Sequence, residues 1–566
     1  MDYPPETRGE NFYRLDVNLQ RALKRIAPET AARDDQRLTA FGAWVGTDVD
    51  AQAEYTSRFA PPVLATYDRD GETANRVEHN PRYAAVHRDV YRRGIVGLNY
   101  EAEARPFLTT FVMGYLLSQA DISIHCPVTL TGAVAYVLDR YAPQVVKAGY
   151  LKELTRMDGN AMTGATWATE RDCGSDLAAT TTAARATAGG FTLSGLKWFA
   201  SNADCDLALA TARPEGAPGG SKGLGLYLVP RRLGDGGLNS YRIRRLKDKL
   251  GTRGLATGEI DLLDAEAFEV AGPPNGLKIM MEALGFSRIH NAVAAAGAQR
   301  RAFLEAAGHV YRRQAFGRRL ADYTMIQDLL LDVLMQVEAG LALALEAASA
   351  FDAAEQTDEP ARVWQRTATA LAKHQTAEQA VAAASRAIEI LGGNGYTEEF
   401  VTARLLRDAQ VLTVWEGPGN IQALELLRLL GEKFGAFEAF DRRIDALLAP
   451  CDGAAAELAA PVRRARDACR AAVGHVHKTP DEGPRLARRI LDLMADTLAA
   501  ALLLDEAAAD LKRGDARKAL IARRFIEARL ALPDHHRVEA RDSWPYRLFH
   551  RIAGYQPIEP RDAFAA

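Results

Sequence analysis

Glu416 stands in the run Val414-Trp415-Glu416-Gly417-Pro418-Gly419-Asn420, ahead of a helix-patterned stretch that reaches Arg428. A carboxylate there either caps the next helix or, in an apolar pocket that lifts its pKa, works as a general base. Three other segments carry groups of matching type. In TWATERDCGSD (166–176) a β-type run ends in Thr169 and a turn with Gly174, Ser175 and Asp176. Hydroxyls and free backbone N–H groups in such a loop suit the edge of a planar ring and a phosphate, and equally an ordinary β-turn. KWFASNAD (197–204) places Trp198 and Phe199 beside Ser201, either as an aromatic wall for that ring or as core packing. YRRQAFG (311–317) puts Arg313 at a helix end before Phe316 and a Gly. An Arg there grips a pyrophosphate bidentately or simply complements the helix dipole.

Other chemistries lack their patterns. Gly392-Gly393-Asn394-Gly395 follows a helix rather than a strand, and Gly219–Gly225 lies between two strands, so neither opens a βαβ dinucleotide unit. There is no GxxxxGK[ST], HExxH or GxSxG. The five cysteines are widely spaced, with no CxxC pair and no adjacent His cluster, which excludes a disulfide framework and predicts no metal site. His125, His290, His374 and the pair His535-His536 are candidates by residue type alone and receive no role.

The elements that position these segments follow from periodicity. Residues 1–158 read as a helical domain with breaks at Pro61-Pro62, Asn80-Pro81 and Pro127; Leu19, Leu23 and Ile26 keep helical spacing. Short β-type runs at 190–200, 206–213 and 225–232, set apart by Gly- and Pro-rich turns, predict a small, mostly antiparallel β domain or barrel over 159–275. A helical bundle follows over 276–432, in which Met325, Ile326, Leu329, Leu330, Val333, Leu334, Val337 and Leu341 form one buried stripe. Residues 433–566 form a further helical domain. The fold class is thus mostly α with a central β domain.

The 566 residues are 48% hydrophobic and 25% charged, which excludes disordered and fibrous classes. The formal charge of −3 gives no general attraction to polyanions. No uncharged apolar run approaches the roughly 18 residues that span a bilayer. With no signal pattern at the N-terminus and so few cysteines, the expectation is a cytoplasmic protein without a membrane partner.

The segments TERDCGSD, KWFASN, RQAFG, LGGNGYTEE and WEGPGNIQ, in this order and spacing, resemble the acyl-CoA dehydrogenase family. RLKDKLGTRG (245–254), the long N-terminal region and the extra C-terminal helices resemble its AidB-like branch, flavoproteins tied to the adaptive response to DNA alkylation. The resemblance covers roughly residues 40–435 well. It implies a helical domain, a β domain, a four-helix bundle and a C-terminal helical domain, a homotetramer, and FAD bound without a Rossmann fold. By motif match Thr169 would touch the isoalloxazine and Ser175, with Gly174, the pyrophosphate; Phe199 and Ser201 would flank the ring. Arg313 and Phe316 would reach the FAD of a neighbouring subunit, while Trp415, Gly417, Gly419 and Asn420 would line the flavin. Glu416 would be the catalytic base and Arg288 would lie near the substrate thioester. The implied reaction is α,β-dehydrogenation of a short or branched acyl-CoA, with the α-proton going to Glu416 and the β-hydride to flavin N5. Hydrogen bonds from the flavin ribityl hydroxyl and from the Glu backbone N–H would polarise the thioester carbonyl. The electron acceptor is not readable. Three departures stand out: Pro418 replaces the usual Thr or Ser, Glu389 the usual Gln, and Phe199 the usual Trp.

The alternative is a DNA-associated flavoprotein whose C-terminal domain binds duplex backbone. Arg463, Arg466 and Arg470 share one helical face, and Lys512, Arg513, Arg517, Lys518, Arg523, Arg524 and Arg529 form a denser stretch. Acidic residues interleave, however, and residues 431–566 carry only +2, so an ion-paired helix face explains the same pattern.

Overall fold

The computed structural model describes Tyr3 and residues 7–356, 359–530 and 544–564. His535 and His536 lie outside them. The chain forms two compact units: residues 48–106 with 121–290, and residues 1–47 with 107–120 and 291–566.

The first unit opens with a strand pair that the helical reading of residues 1–158 overlooked. β1 (Val63–Tyr67) and β2 (Thr73–Glu78) run antiparallel. Asp68 turns the chain by accepting the amides of Asp70 and Glu72, both at 2.9 Å, and Gly71 supplies the positive φ. The expected β domain then follows: β3 (Gly164–Trp167), β4 (Ala183–Thr187), β5 (Gly190–Ser201), β6 (Leu207–Pro214), β7 (Gly225–Pro230), β8 (Tyr241–Leu246) and β9 (Thr257–Ala271). The strand order is β3-β6-β4-β5-β9-β7, with β8 on β9, and a β6–β7 pairing closes the circle into a barrel. Pairings are antiparallel except β3–β6 and β4–β6. β8 and β9 were not anticipated because their Arg, Asp and Glu side chains hide the alternation. Trp167, Leu209, Tyr227, Leu228 and Ile260 on these strands are buried.

The helix Ile122–Tyr141 in this unit corrects the expectation on apolar runs. It is long and apolar enough to cross a membrane, with mean hydropathy 1.3, but 94% of that stretch is buried inside the protein, as a core helix is.

The second unit is helical. Asp16 caps the helix Val17–Ile26 by accepting the Leu19 amide at 2.9 Å. The bundle helices are the later part of Gly276–Arg312, then Thr324–Gln356, Glu359–Leu391, Val401–Leu412 and Gly419–Leu429. Long helices Gly453–Lys478 and Gly483–Leu511 follow, then Arg517–Arg529. The stripe on Thr324–Gln356 is buried at Leu330, Val333, Leu334, Val337 and Leu341, whereas Met325, in the first turn, is 80% exposed. No disulfide joins any of the five cysteines.

Candidate functional site

Each unit carries part of the predicted constellation. In the β-barrel unit, β3 ends at Trp167 and the chain turns through Thr169 to Asp176. The Thr169 carbonyl accepts the Trp198 amide at 3.0 Å, which brings this loop beside the end of β5. Two predicted segments, one with Thr169, Gly174 and Ser175 and the other with Phe199 and Ser201, therefore meet. Glu170 and Lys197 lie beneath the loop. The Glu170 carboxylate accepts the amides of Thr181 (2.8 Å) and Thr182 (3.0 Å) and the Lys197 ammonium at 2.9 Å; Lys197 also donates to the Thr211 carbonyl at 2.8 Å. Burial opposes ionisation of Glu170, but Lys197 and the Thr181 and Thr182 hydroxyls outweigh it and hold the carboxyl at about 2.

Above this buried support the surface is open. Ser175 and Gly174 are exposed, and a Cβ built on Gly174 would meet nothing closer than Thr169 Cγ2 at 3.9 Å. Asp176, by contrast, serves local structure, accepting the Ala178 amide at 3.2 Å. Phe199 is 58% exposed, which removes the core-packing alternative for that ring. Trp198 is half-buried with the Lys247 ammonium 3.5 Å from its ring centroid. Ser201 Oγ lies 3.3 Å from Thr257 Oγ1. Arg288, on the helix Gly276–Arg312, is nearly buried.

In the helical unit, Arg313 follows the end of that helix and is exposed, with no ion pair among the described residues. A two-residue hairpin comes next, Gln314-Ala315 pairing with Arg318-Arg319. Phe316 and Gly317 at its tip both have positive φ, 49° and 80°, as a type I′ turn requires. Phe316 is 97% exposed, held there by Tyr323, whose hydroxyl donates to the Ala315 carbonyl at 2.7 Å.

Glu416 lies in the turn between the helices Val401–Leu412 and Gly419–Leu429. Pro418, not Glu416, is the N-cap of the second. Instead Glu416 has φ 57°, left-handed backbone that costs a non-glycine residue about 1–3 kcal/mol and concentrates at functional sites. Gly417 continues in positive φ at 94°. Fixed donors hold the turn: Gln422 Nε2 reaches the carbonyls of Glu416 (3.1 Å) and Gly417 (3.0 Å), and Lys373 Nζ reaches that of Gly417 (2.8 Å). Pro418, which lacks the hydroxyl and N–H of Thr, accepts the Ile421 and Gln422 amides through its carbonyl. Glu389 is paired with Arg386 on the surface.

These features fit FAD. The Trp415 indole Nε1 is buried without a hydrogen-bond partner among the described residues. Phe199 and Phe316 are exposed aromatic rings, and Thr169, Ser175 and Ser201 supply hydroxyls. Sequence reasoning overlooked Glu170, Lys247, Lys373 and Gln422. The first two stand inside or beside the quoted motifs, whereas Lys373 sits in an Ala-rich helix with no local signal.

Most of the basic residues are ion-paired, as the second reading of that stretch has it. Arg517 is 1% exposed, Lys518 4% and Arg524 9%. Arg517 and Lys518 both bond the buried carboxylate of Glu338, and Arg524 pairs with Asp328 (3.0 Å) and Asp332 (2.8 Å). Arg466 pairs with Asp441, Asp445 and Asp467, Arg470 with Asp441 and Asp467, Arg513 with Asp510, Arg523 with Glu527, and Arg529 with Asp496. Arg463 and Lys512 are exposed.

Comparison with known proteins adds the following. Three family models match: the AidB N-terminal domain over residues 2–158, the acyl-CoA dehydrogenase middle domain over 165–265 and the acyl-CoA dehydrogenase C-terminal domain over 274–430. AidB of Escherichia coli (strain K12) is 30% identical over 455 residues, 77% of this chain and 81% of that protein. The rat mitochondrial short/branched chain specific acyl-CoA dehydrogenase is 26% identical over 371 residues, 64% and 79% of the two chains. The crystal structure of Caenorhabditis elegans ACDH-11 in complex with C11-CoA superposes with a TM-score of 0.87 at 26% identity, covering 99% of this chain and 96% of that one.

Proposed function

This chain belongs to the acyl-CoA dehydrogenase family, in its AidB-like branch, and on that premise we propose that it dehydrogenates an acyl-CoA with Glu416 as the base. The observation that carries the reading is the backbone of Glu416. A left-handed glutamate that is not the N-cap of the helix it precedes, anchored through its own carbonyl and the next, is strain the fold keeps at this carboxylate.

FAD is the cofactor, and when bound it accepts the β-hydrogen of the acyl group together with its electron pair. By the family's motif match, Thr169, Gly174, Ser175, Phe199, Ser201, Trp415, Gly417, Gly419 and Asn420 would hold it. Glu416 takes the α-proton onto a carboxylate oxygen, and the pair left in that C–H bond becomes the new C=C bond. Arg288 would lie near the thioester, as its match to the family implies. The exposed Arg313 and Phe316 support a homotetramer in which each hairpin reaches a neighbouring subunit's cofactor.

The acyl chain we propose is short or branched, supported by the likeness to the rat enzyme; the C11-CoA complex of ACDH-11 brings a longer chain into the same test. Anaerobic titration of the purified protein with straight and branched acyl-CoAs decides. Bleaching of the oxidised flavin band by one of them, lost in Glu416→Gln, is expected. A flavin band that no acyl-CoA bleaches overturns the reading.

A further inference from the structure

Lys373 and His374 are consecutive on the helix Glu359–Leu391, and both meet the turn that carries Glu416. Lys373 is 1% exposed, and its ammonium donates to the Gly417 carbonyl at 2.8 Å. His374 is 2% exposed, and its Nε2 lies 2.6 Å from Asp492 Oδ1 on the helix Gly483–Leu511. The other ring nitrogen borders Gly419: a Cβ built there would lie 3.1 Å from His374 Nδ1 and 2.3 Å from Arg488 Nη1. Arg488 belongs to the same C-terminal helix as Asp492 and donates to Glu378, one turn beyond His374, at 3.0 Å. Helix Gly483–Leu511 therefore touches the Glu416 turn directly at Gly419 and indirectly through His374.

The turn needs such support. Two successive residues, Glu416 and Gly417, are in positive φ, and the carbonyls of both are held by buried donors. A peptide group whose oxygen is fixed cannot rotate about its own axis. The direction in which Glu416 leaves the backbone is set by these anchors rather than by the helices on either side. The helix Gly483–Leu511 lies beyond residue 430, where the match to the acyl-CoA dehydrogenase C-terminal domain ends.

We propose that Lys373, and Asp492 acting through His374, are positioning residues for Glu416, so that the C-terminal helical region fixes the geometry of the base. This rests on the reading of Glu416 as the base. It concerns orientation, so it predicts an effect on the reaction step rather than on substrate affinity.

The test uses full-length protein with its flavin, as wild type, Lys373→Met, Lys373→Arg and Asp492→Asn. Hydrogen–deuterium exchange over residues 413–420 reads the turn without reference to activity. Anaerobic flavin reduction by the best acyl-CoA reads the reaction step, and titration of the same spectrum reads affinity. Lys373→Met is expected to speed exchange of the turn roughly tenfold or more. It is expected to slow reduction by roughly 10–100-fold while affinity stays within about twofold. Lys373→Arg recovers part of both, and Asp492→Asn moves both in the same direction by less. Unchanged exchange at the turn in a folded, flavin-containing Lys373→Met overturns the proposal, as does slowed reduction accompanied by an equal loss of affinity. If Lys373→Met does not fold, Asp492→Asn decides, because Asp492 is 45% exposed and tolerates an isosteric amide. If no acyl-CoA reduces the wild type, the assignment of Glu416 as base fails, and the exchange measurement still decides whether these residues hold the turn.

Discussion

Lys197 on β5 and Glu170 in the loop after β3 form an ion pair sealed from solvent, 2.9 Å apart, with side chains 0% and 5% exposed. The pair locks the loop that presents Thr169 and Ser175 against the strand that presents Phe199 and Ser201. A buried pair of this kind adds little net stability over an apolar substitute, because each charge gives up its hydration. Its effect is to fix register: the carboxylate is also bonded to Thr181 and Thr182, so the loop has one arrangement.

Removing one member exposes this. Lys197→Met leaves the Glu170 carboxylate buried without its cation, and a loss of about 3–5 kcal/mol is expected. Thermal unfolding should show a lower midpoint and weaker flavin retention. The double variant Glu170→Gln with Lys197→Met should recover most of the midpoint, and failure to do so would remove the ion pair as the cause.

Glu416→Gln keeps the size and polarity of the side chain and removes its basicity. Flavin content should stay at the wild-type level while reduction by acyl-CoA falls by about 10²–10⁴-fold. Loss of flavin in this variant would mean that the residue holds the cofactor instead.

Glu338 makes stability depend on acid. Burial opposes its ionisation, but Arg517 and Lys518 overcome that and hold its carboxyl at about 2, against 4.5 for an ordinary glutamate. A carboxyl depressed in the folded state stabilises above pH 4.5, and that contribution drains away as pH falls from 4.5 toward 2. Its full size is of order 3 kcal/mol. Unfolding midpoints measured from pH 7 down to pH 3 should fall across that window, and the slope should flatten in Glu338→Gln.

Arg517→Ala combined with Arg524→Ala separates the two readings of the basic stretch. Both residues are buried and ion-paired, so the expected result is a loss of stability, of about 3 kcal/mol or more for Arg517 alone, read as a lower unfolding midpoint. A variant of wild-type stability that loses retention of duplex DNA, with a shallower salt dependence, would restore the DNA reading.

Much of this protein was legible in its sequence. The first helix, the Leu330–Leu341 stripe, the β domain and the turn that carries Glu416 all announce themselves in the sequence, the helices and strands because side-chain direction repeats every 3.6 residues in a helix and every two in a strand. The hairpin β1–β2 and the strands β8 and β9 did not, because short or charge-rich strands lack a clean alternation. The position of Glu416 ahead of a helix was readable; its left-handed backbone was not, since φ there is imposed by donors that arrive from elsewhere.

The same division runs through the charges. Residue type and spacing placed Arg517, Lys518 and Arg524 on a basic stretch, but spacing cannot say whether a carboxylate waits on another helix, and Glu338, Asp328 and Asp332 do. Lys373 and Asp492 are separated by more than a hundred residues from each other and by tens from Glu416. By itself the sequence determined the chemistry available and the order of the domains, since these depend on local residue types, and its resemblance to a family implied the cofactor. Only the tertiary structure decided which buried cation meets which carbonyl and which charges leave the surface, because those depend on contacts between segments that no local spacing records.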